Sequence, residues 1–460
     1  MDNAPIPKSP GSTPHGGRTA LVSLPADERT QSNAQLLADD SQYVMRPWTA
    51  AGEPLPIVEA HGSYVRDADG RVYMDFTSGY FVNQAGHSHP RVISAAIAQL
   101  HKVSQVSGRH ASEPAIGMAK ELARLAPGRL TKTLYTTGGC ESTEFALKMA
   151  RQKSGKLGVM VLDNAFHGLS VQALATCSNE SYRKSASAPL DANIVAAPTP
   201  YVYRWKNPDA CVDESIAALE QLLDANPHVG SILAEPMQAV GGLAPPLEWW
   251  QRVDAIRKAR GLVLILDEIQ TGLGRTGKMW GADHYGLEAD IMTLAKGLSG
   301  GVGSLGAVMA TPEIAASFWG ATSPTSAANA ISCAAGLEMI RVIQDEKLVE
   351  NAAAMGEYMT RVFWELRSPW IGDVRFKGLL GGVELVLDKK SKQPWSKDQI
   401  LGMKSDLLER GVICTATGPL GNVIRIQPPL SVSPSEIDRF VSHFDAAVRA
   451  AMQAAGRASA

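Results

Sequence analysis

No stretch of this chain reaches the roughly 18 uninterrupted apolar residues that a membrane-spanning helix requires, and its N-terminus lacks the charged-then-apolar order of a secretory signal. Net charge is missing too: 44 basic against 46 acidic side chains leave −2, with no long Lys/Arg block. This argues against nucleic acid or an anionic membrane surface as the main partner and leaves small molecules. Cysteine is sparse. Cys140, Cys177, Cys211, Cys333 and Cys414 are scattered without CxxC spacing, which argues against a zinc site and a disulfide framework and fits an unprocessed protein of the reducing cytoplasm. No internal repeat recurs, which argues against a solenoid.

What is present is the composition of an ordinary globular protein, 460 residues with 45% hydrophobic and 20% charged side chains, long enough for two domains. Residues 1–28 are rich in Pro, Ser, Gly and Thr and bury too little apolar surface to offset ordering, so a disordered tail is expected. Apolar and polar positions alternate over 64–77 around Asp69-Gly70, the pattern of a β-hairpin at the edge of a small domain. From there to about Ala310, short apolar runs at 157–162, 231–234, 263–266, 291–294 and 306–310 alternate with helix-period segments. That is the signature of an α/β fold with a largely parallel sheet flanked by helices. The remainder is mixed: a helix from about Ala328, strands at 380–387 and 423–426, and a terminal helix whose start has capping-box spacing from Ser433 to Glu436.

Lys296 lies in Ile291-Met-Thr-Leu-Ala-Lys-Gly-Leu-Ser-Gly-Gly301, twenty-nine residues after Asp267, the first acid of a pair that ends an apolar run. A surface lysine is the bland alternative, but the apolar run before it and the glycine loop after it suit a solvated helix face poorly. Strand ends in open α/β sheets present ligand-binding groups. An amine and a carboxylate meeting there suit pyridoxal 5'-phosphate, because the amine holds the aldehyde as an imine and the carboxylate keeps the ring nitrogen protonated. Thr136-Thr-Gly-Gly-Cys-Glu141 leads into a helix and reads either as a phosphate cradle or as a tight structural turn. Phe166 and His167 follow a strand; Phe166 can stack on a flat ring or fill core, and His167 can orient a substrate or be satisfied within the core. Glu235 ends another strand and either joins the same site or pairs with an arginine. Arg425 sits in an apolar strand and needs a carboxylate, from the protein or from a substrate. Arg375 poses the same question more weakly, beside Asp373.

Taken together, Asp75-Phe-Thr-Ser-Gly79, Gly86-His-Ser-His-Pro90, the Gly-Gly-Cys-Glu turn, Phe166-His-Gly168, Glu235-Pro-Met-Gln238, the Asp267-Glu268 segment, Leu294-Ala-Lys-Gly297 and Arg425 before Pro428-Pro429 resemble the class III pyridoxal-phosphate aminotransferases. The likeness runs from about Gln42 to the C-terminus, and within the class it is strongest to dialkylglycine decarboxylase and its aminotransferase relatives. The resemblance implies fold type I, with a large cofactor-binding domain over 76–325 and a small α+β domain built from 29–75 and 326–460. It implies that Lys296 forms the imine and Asp267 pairs with the ring nitrogen. Phe166 and Ile269 would sandwich the ring, Gln270 would reach its phenolic oxygen, and Gly138, Gly139 and Cys140 would give N–H groups to the phosphate, with His167 and Glu235 alongside. Thr325 would complete the phosphate site of a neighbouring subunit, which implies a homodimer or a dimer of dimers with a shared active site. Arg425 would receive the substrate carboxylate, and the region of Tyr43 to Trp48, Tyr80, Phe81 and Val240 would wall the substrate side. Tyr80 and Phe166 depart from the decarboxylase pattern and weaken that reading. The expected reaction is transfer of an amino group from an amine or amino acid to pyruvate or 2-oxoglutarate; decarboxylating transamination and racemisation on the same scaffold are the alternatives.

Overall fold

The computed structural model describes residues 31–46, 54–106, 110–186, 189–320 and 324–458; the expected tail over 1–28 and Trp48 lie outside the described residues. A seven-stranded sheet forms the centre. Its strands are β1 (Lys132–Thr136), β2 (Gly158–Leu162), β3 (Ile194–Ala197), β4 (Val229–Ala234), β5 (Val263–Asp267), β6 (Ile291–Leu294) and β7 (Gly306–Ala310), in the spatial order β1-β7-β6-β5-β4-β2-β3. Strands β2 to β6 pair in parallel, whereas β7 runs antiparallel to both β6 and β1. Every residue of β2, β4, β5, β6 and β7 is buried, as a sheet covered by helices on both faces requires. That double burial explains why these strands read as continuous apolar runs. Strands β1 and β3 lie at the two edges and are only partly buried; β1 is mixed polar and apolar, whereas β3 is a short apolar stretch, Ile194-Val-Ala-Ala197.

The hairpin is present as Tyr64–Asp67 and Val72–Asp75, preceded by Ile57–His61. Its sheet is completed by Val412–Ile413, which lies parallel to Val72–Asp75, so the two ends of the chain build one sheet together. A third sheet contains Ile371–Lys377, Leu380–Asp388, Thr415–Thr417 and Val423–Ile426. The helix expected from about Ala328 begins at Ala330, where the Asn329 side chain accepts the Ile331 and Ser332 N–H groups and sets the cap. The terminal helix starts as expected, with Ser433 Oγ accepting the Glu436 N–H and the Glu436 carboxylate accepting the Ser433 N–H. Among the described residues no helix is long and apolar enough to cross a membrane.

Candidate active site

The C-terminal ends of the parallel strands and the N-terminal end of β7 share one edge of the central sheet. There a cavity of about 340 Å³ is lined by Gly138, Gly139 and Cys140 after β1, Phe166 and His167 after β2, Glu235 after β4, Asp267, Ile269 and Gln270 at and after β5, and Lys296 after β6. Because β7 is antiparallel, the residues that precede it, Gly303, Ser304 and Leu305, also reach this edge and close one wall. No sequence signal marks that wall, since a strand's direction is not encoded in its own apolar run.

Asp267 is buried and accepts the Ile269 N–H (3.0 Å) and the Thr293 hydroxyl (3.2 Å) on Oδ1, while Oδ2 lies 2.7 Å from His167 Nδ1. An ionised carboxylate has about four acceptor sites, so one remains open. His167 lines the cavity and bonds Asp267 through one ring nitrogen. Its Nε2 and one Glu235 oxygen are buried without a partner among the described residues. The other Glu235 oxygen accepts the Ala239 N–H at 3.1 Å, and no arginine pairs with it among the described residues. Burial, then the nearby Asp267 charge, pushes the Glu235 carboxyl up to about 7. Lys296 Nζ donates to Gln270 Oε1 at 2.9 Å. Burial first, and Arg425 second, hold its ammonium down at about 8, against the pull of Asp267 and Glu235.

The Gly139–Ser154 helix opens on the cavity with Gly138 as an uncapped N-cap, so its first N–H groups have no side-chain acceptor among the described residues. A Cβ on Gly138 would meet nothing within 4 Å, which leaves the approach to those N–H groups open. Unsatisfied donors at a helix start suit a phosphate, and unpartnered polar groups deep in the same cavity suit a polar ring edge. These residues fit pyridoxal phosphate. No group of three or more metal-ligating side chains occurs among the described residues.

Arg425 is buried, and no carboxylate pairs with it among the described residues; its Nε has no partner and its guanidinium lies 3.8 Å from the Phe81 ring centroid. Phe81 belongs to Ser78–Phe81, four successive residues at positive φ (46°, 64°, 63° and 73°). Buried Asp75 holds this turn by accepting the Thr77 N–H (2.8 Å) and the Gly79 N–H (2.6 Å), with His87 Nε2 at 2.8 Å. Tyr80 projects from the turn and is 69% exposed. Arg375 instead has protein partners, Asp373 and Glu384 at 2.7 Å and the Gly241 carbonyl. Thr325 is exposed and does not line the cavity. Two residues near the site had no sequence signal: Tyr182, whose ring lies 4.9 Å from that of Phe166, and Gln427, which accepts from Gln270.

The Aminotransferase class-III family model matches residues 48–448. The chain belongs to the class III aminotransferases. A curated relative of this aminotransferase is taurine–pyruvate aminotransferase of Rhodobacter capsulatus, 33% identical and covering 91% of this chain and 98% of the relative. Another is an alanine/serine racemase of Pyrococcus horikoshii, 28% identical over 86% of each chain. Among solved structures, an (S)-enantioselective omega-transaminase from Thermomicrobium roseum superposes with a TM-score of 0.87 at 31% identity, covering 92% of this chain and 99% of the other. The aminotransferase thus has fold type I, depends on pyridoxal phosphate and passes an amino group to a 2-oxo acid.

Proposed function

We propose that in this aminotransferase Lys296 holds the cofactor through its amine and afterwards carries the substrate's α-proton, while Asp267 faces the ring nitrogen. The observation that carries this reading is the convergence of both groups on one cavity that also receives an open helix N-terminus. When bound, pyridoxal phosphate supplies an electron-accepting ring that spreads the charge left at the substrate Cα. Gly138, Gly139 and Cys140 give backbone N–H groups to its phosphate, Phe166 and Ile269 flank its ring, and Gln270 approaches its phenolic oxygen. His167 fixes the Asp267 carboxylate, and Glu235 lies beside them.

Proton transfer falls to Lys296. A buried amine that titrates near 8 is neutral in a useful fraction near neutral pH and can act as base and then as acid. Arg425, a buried guanidinium with an N–H unpartnered among the described residues, takes the carboxylate of an amino acid or of pyruvate or 2-oxoglutarate. A carboxylate held there leaves the Cα–H bond, rather than the Cα–carboxylate bond, for Lys296 to attack, which favours transamination over decarboxylation. Tyr80 borders the side-chain space.

We further propose a homodimer in which Thr325 serves the neighbouring subunit's phosphate site, a reading supported by its exposure outside its own cavity. The division into a large domain over 76–325 and a small domain from 29–75 and 326–460 is supported by the joining of chain ends in one sheet. A cytoplasmic location is supported by five free cysteines. Racemisation is the second reading, favoured by the likeness to the alanine/serine racemase. The test is the visible absorbance of protein loaded with pyridoxal phosphate, followed by its single-turnover bleaching with a panel of amino donors. Loss of that absorbance in Lys296→Ala, and keto-acid formation in the wild type, are expected. Absorbance unchanged in Lys296→Ala overturns the assignment, and loss of enantiomeric purity without keto acid selects racemisation.

A further inference from the structure

Gln427 lies outside the cavity lining and is fully buried. Its backbone is fixed on both sides: its N–H donates to the Phe76 carbonyl at 2.9 Å, and its carbonyl accepts the Ser78 hydroxyl at 3.0 Å. Pro428 and Pro429 then stiffen the exit from the strand. Its side-chain Oε1 accepts from Gln270 Nε2 at 2.8 Å, and Gln270 Oε1 in turn accepts from Lys296 Nζ at 2.9 Å. One amide therefore has both ends assigned, its acceptor to Lys296 and its donor to Gln427.

We propose that Gln427 is a positioning residue that acts through Gln270 to keep a carbonyl oxygen on the Lys296 amine. A primary amide can turn over at little intrinsic cost, and what selects one orientation is the pair of partners at its ends. Gln427 supplies the acceptor that makes the donor end point away from Lys296. Without that acceptor the Gln270 donor is buried and unpaired, so the amide re-aims and the lysine loses its oxygen. The inference rests on the role proposed for Lys296. It also ties the lysine to the substrate side, because Gln427 follows Arg425 by two residues and bonds the turn that carries Tyr80 and Phe81.

The groups facing Lys296 electrostatically are Arg425, Asp267, Glu235 and Cys140, with His167 behind Asp267. Removing an acceptor from the charged amine disfavours the ammonium form. The experiment follows capture of pyridoxal phosphate by the full-length apoprotein, read as growth of visible absorbance against pH. Gln427→Leu is expected to shift the midpoint of the capture rate downward by about 0.5 pH unit, the scale on which one hydrogen bond moves a pKa. Gln270→Leu is expected to shift it the same way, and the double variant no further than Gln270→Leu alone. Gln427→Glu, which keeps an acceptor oxygen in place, is expected not to shift it downward, and it serves if the leucine variant does not fold. A wild-type midpoint in Gln427→Leu, or shifts that add in the double variant, overturns the inference and leaves the Lys296 assignment intact. Undiminished capture by Lys296→Ala overturns that assignment instead.

Discussion

His167 Nδ1 lies 2.7 Å from Asp267 Oδ2, with both side chains buried, so the carboxylate that lines the cavity is held by an imidazole whose other nitrogen has no partner among the described residues. Removing the imidazole leaves that carboxylate short of a strong partner. His167→Ala is expected to lower kcat/KM about 10- to 100-fold, the range of one hydrogen bond to a charged group. Steady-state kinetics with saturating cofactor, together with the amount of cofactor retained after dialysis, check it.

Lys296→Ala is expected to reduce turnover by about 10⁴-fold, because the proposed proton carrier is gone while the cavity is otherwise intact. Single-turnover rates on cofactor-loaded protein measure this. A loss of only a few-fold would point to a different base.

Arg425→Leu separates substrates by charge. For donors and acceptors with a carboxylate, kcat/KM is expected to fall about 100-fold, since a charge pair loses one partner. For a donor amine without a carboxylate, the half-reaction is expected to stay within a few-fold of wild type. Equal losses for both classes contradict carboxylate binding by Arg425.

Stability of the apoprotein should depend on pH in two opposed windows. Glu235 and Glu268 are buried and titrate near 7 when folded against 4.5 when exposed. Between those values the folded state holds more protons, so stability falls as pH rises from about 4.5 to 7. Lys296 titrates near 8 when folded against 10.5, so the unfolded state holds more protons there and stability recovers from about 8 to 10.5. Urea midpoints measured across pH are expected to be lowest between the two windows. Glu268→Gln should flatten the acid limb, and Lys296→Met the alkaline one.

Two inactive variants can report the shared site. If Thr325 serves the neighbouring subunit, Lys296→Ala and Thr325→Asp chains should each be nearly inactive, yet recover up to about a quarter of wild-type activity when unfolded together and reassembled, since one site in four then carries neither lesion. Light scattering gives the oligomeric state independently. No recovery from a mixed dimer would rule out the shared arrangement.

The sequence by itself determined the order of the buried strands and the residues at their ends. Strands covered on both faces must be apolar throughout, and the polar residue that follows each run, such as Asp267 after 263–266, stands out for that reason. The edge strand β1 carries Lys132 and two threonines, as a half-exposed strand can, and escaped for that reason; the other edge strand, β3, is a four-residue apolar stretch and escaped as well. His167 and Lys296 stood out in the same way and the 138–140 turn by its two glycines, whereas the bond from His167 to Asp267 was not legible. Tertiary structure alone decided which groups share a partner, because a side chain's neighbours come from distant segments. That Arg425 stacks on Phe81 while Arg375 pairs with Glu384, that Gln270 is gripped by Gln427, 157 residues on, and that β7 turns its N-terminal end to the cavity are consequences of packing between elements. Local composition sets what a segment can bury, and the assembled fold sets what that buried group meets.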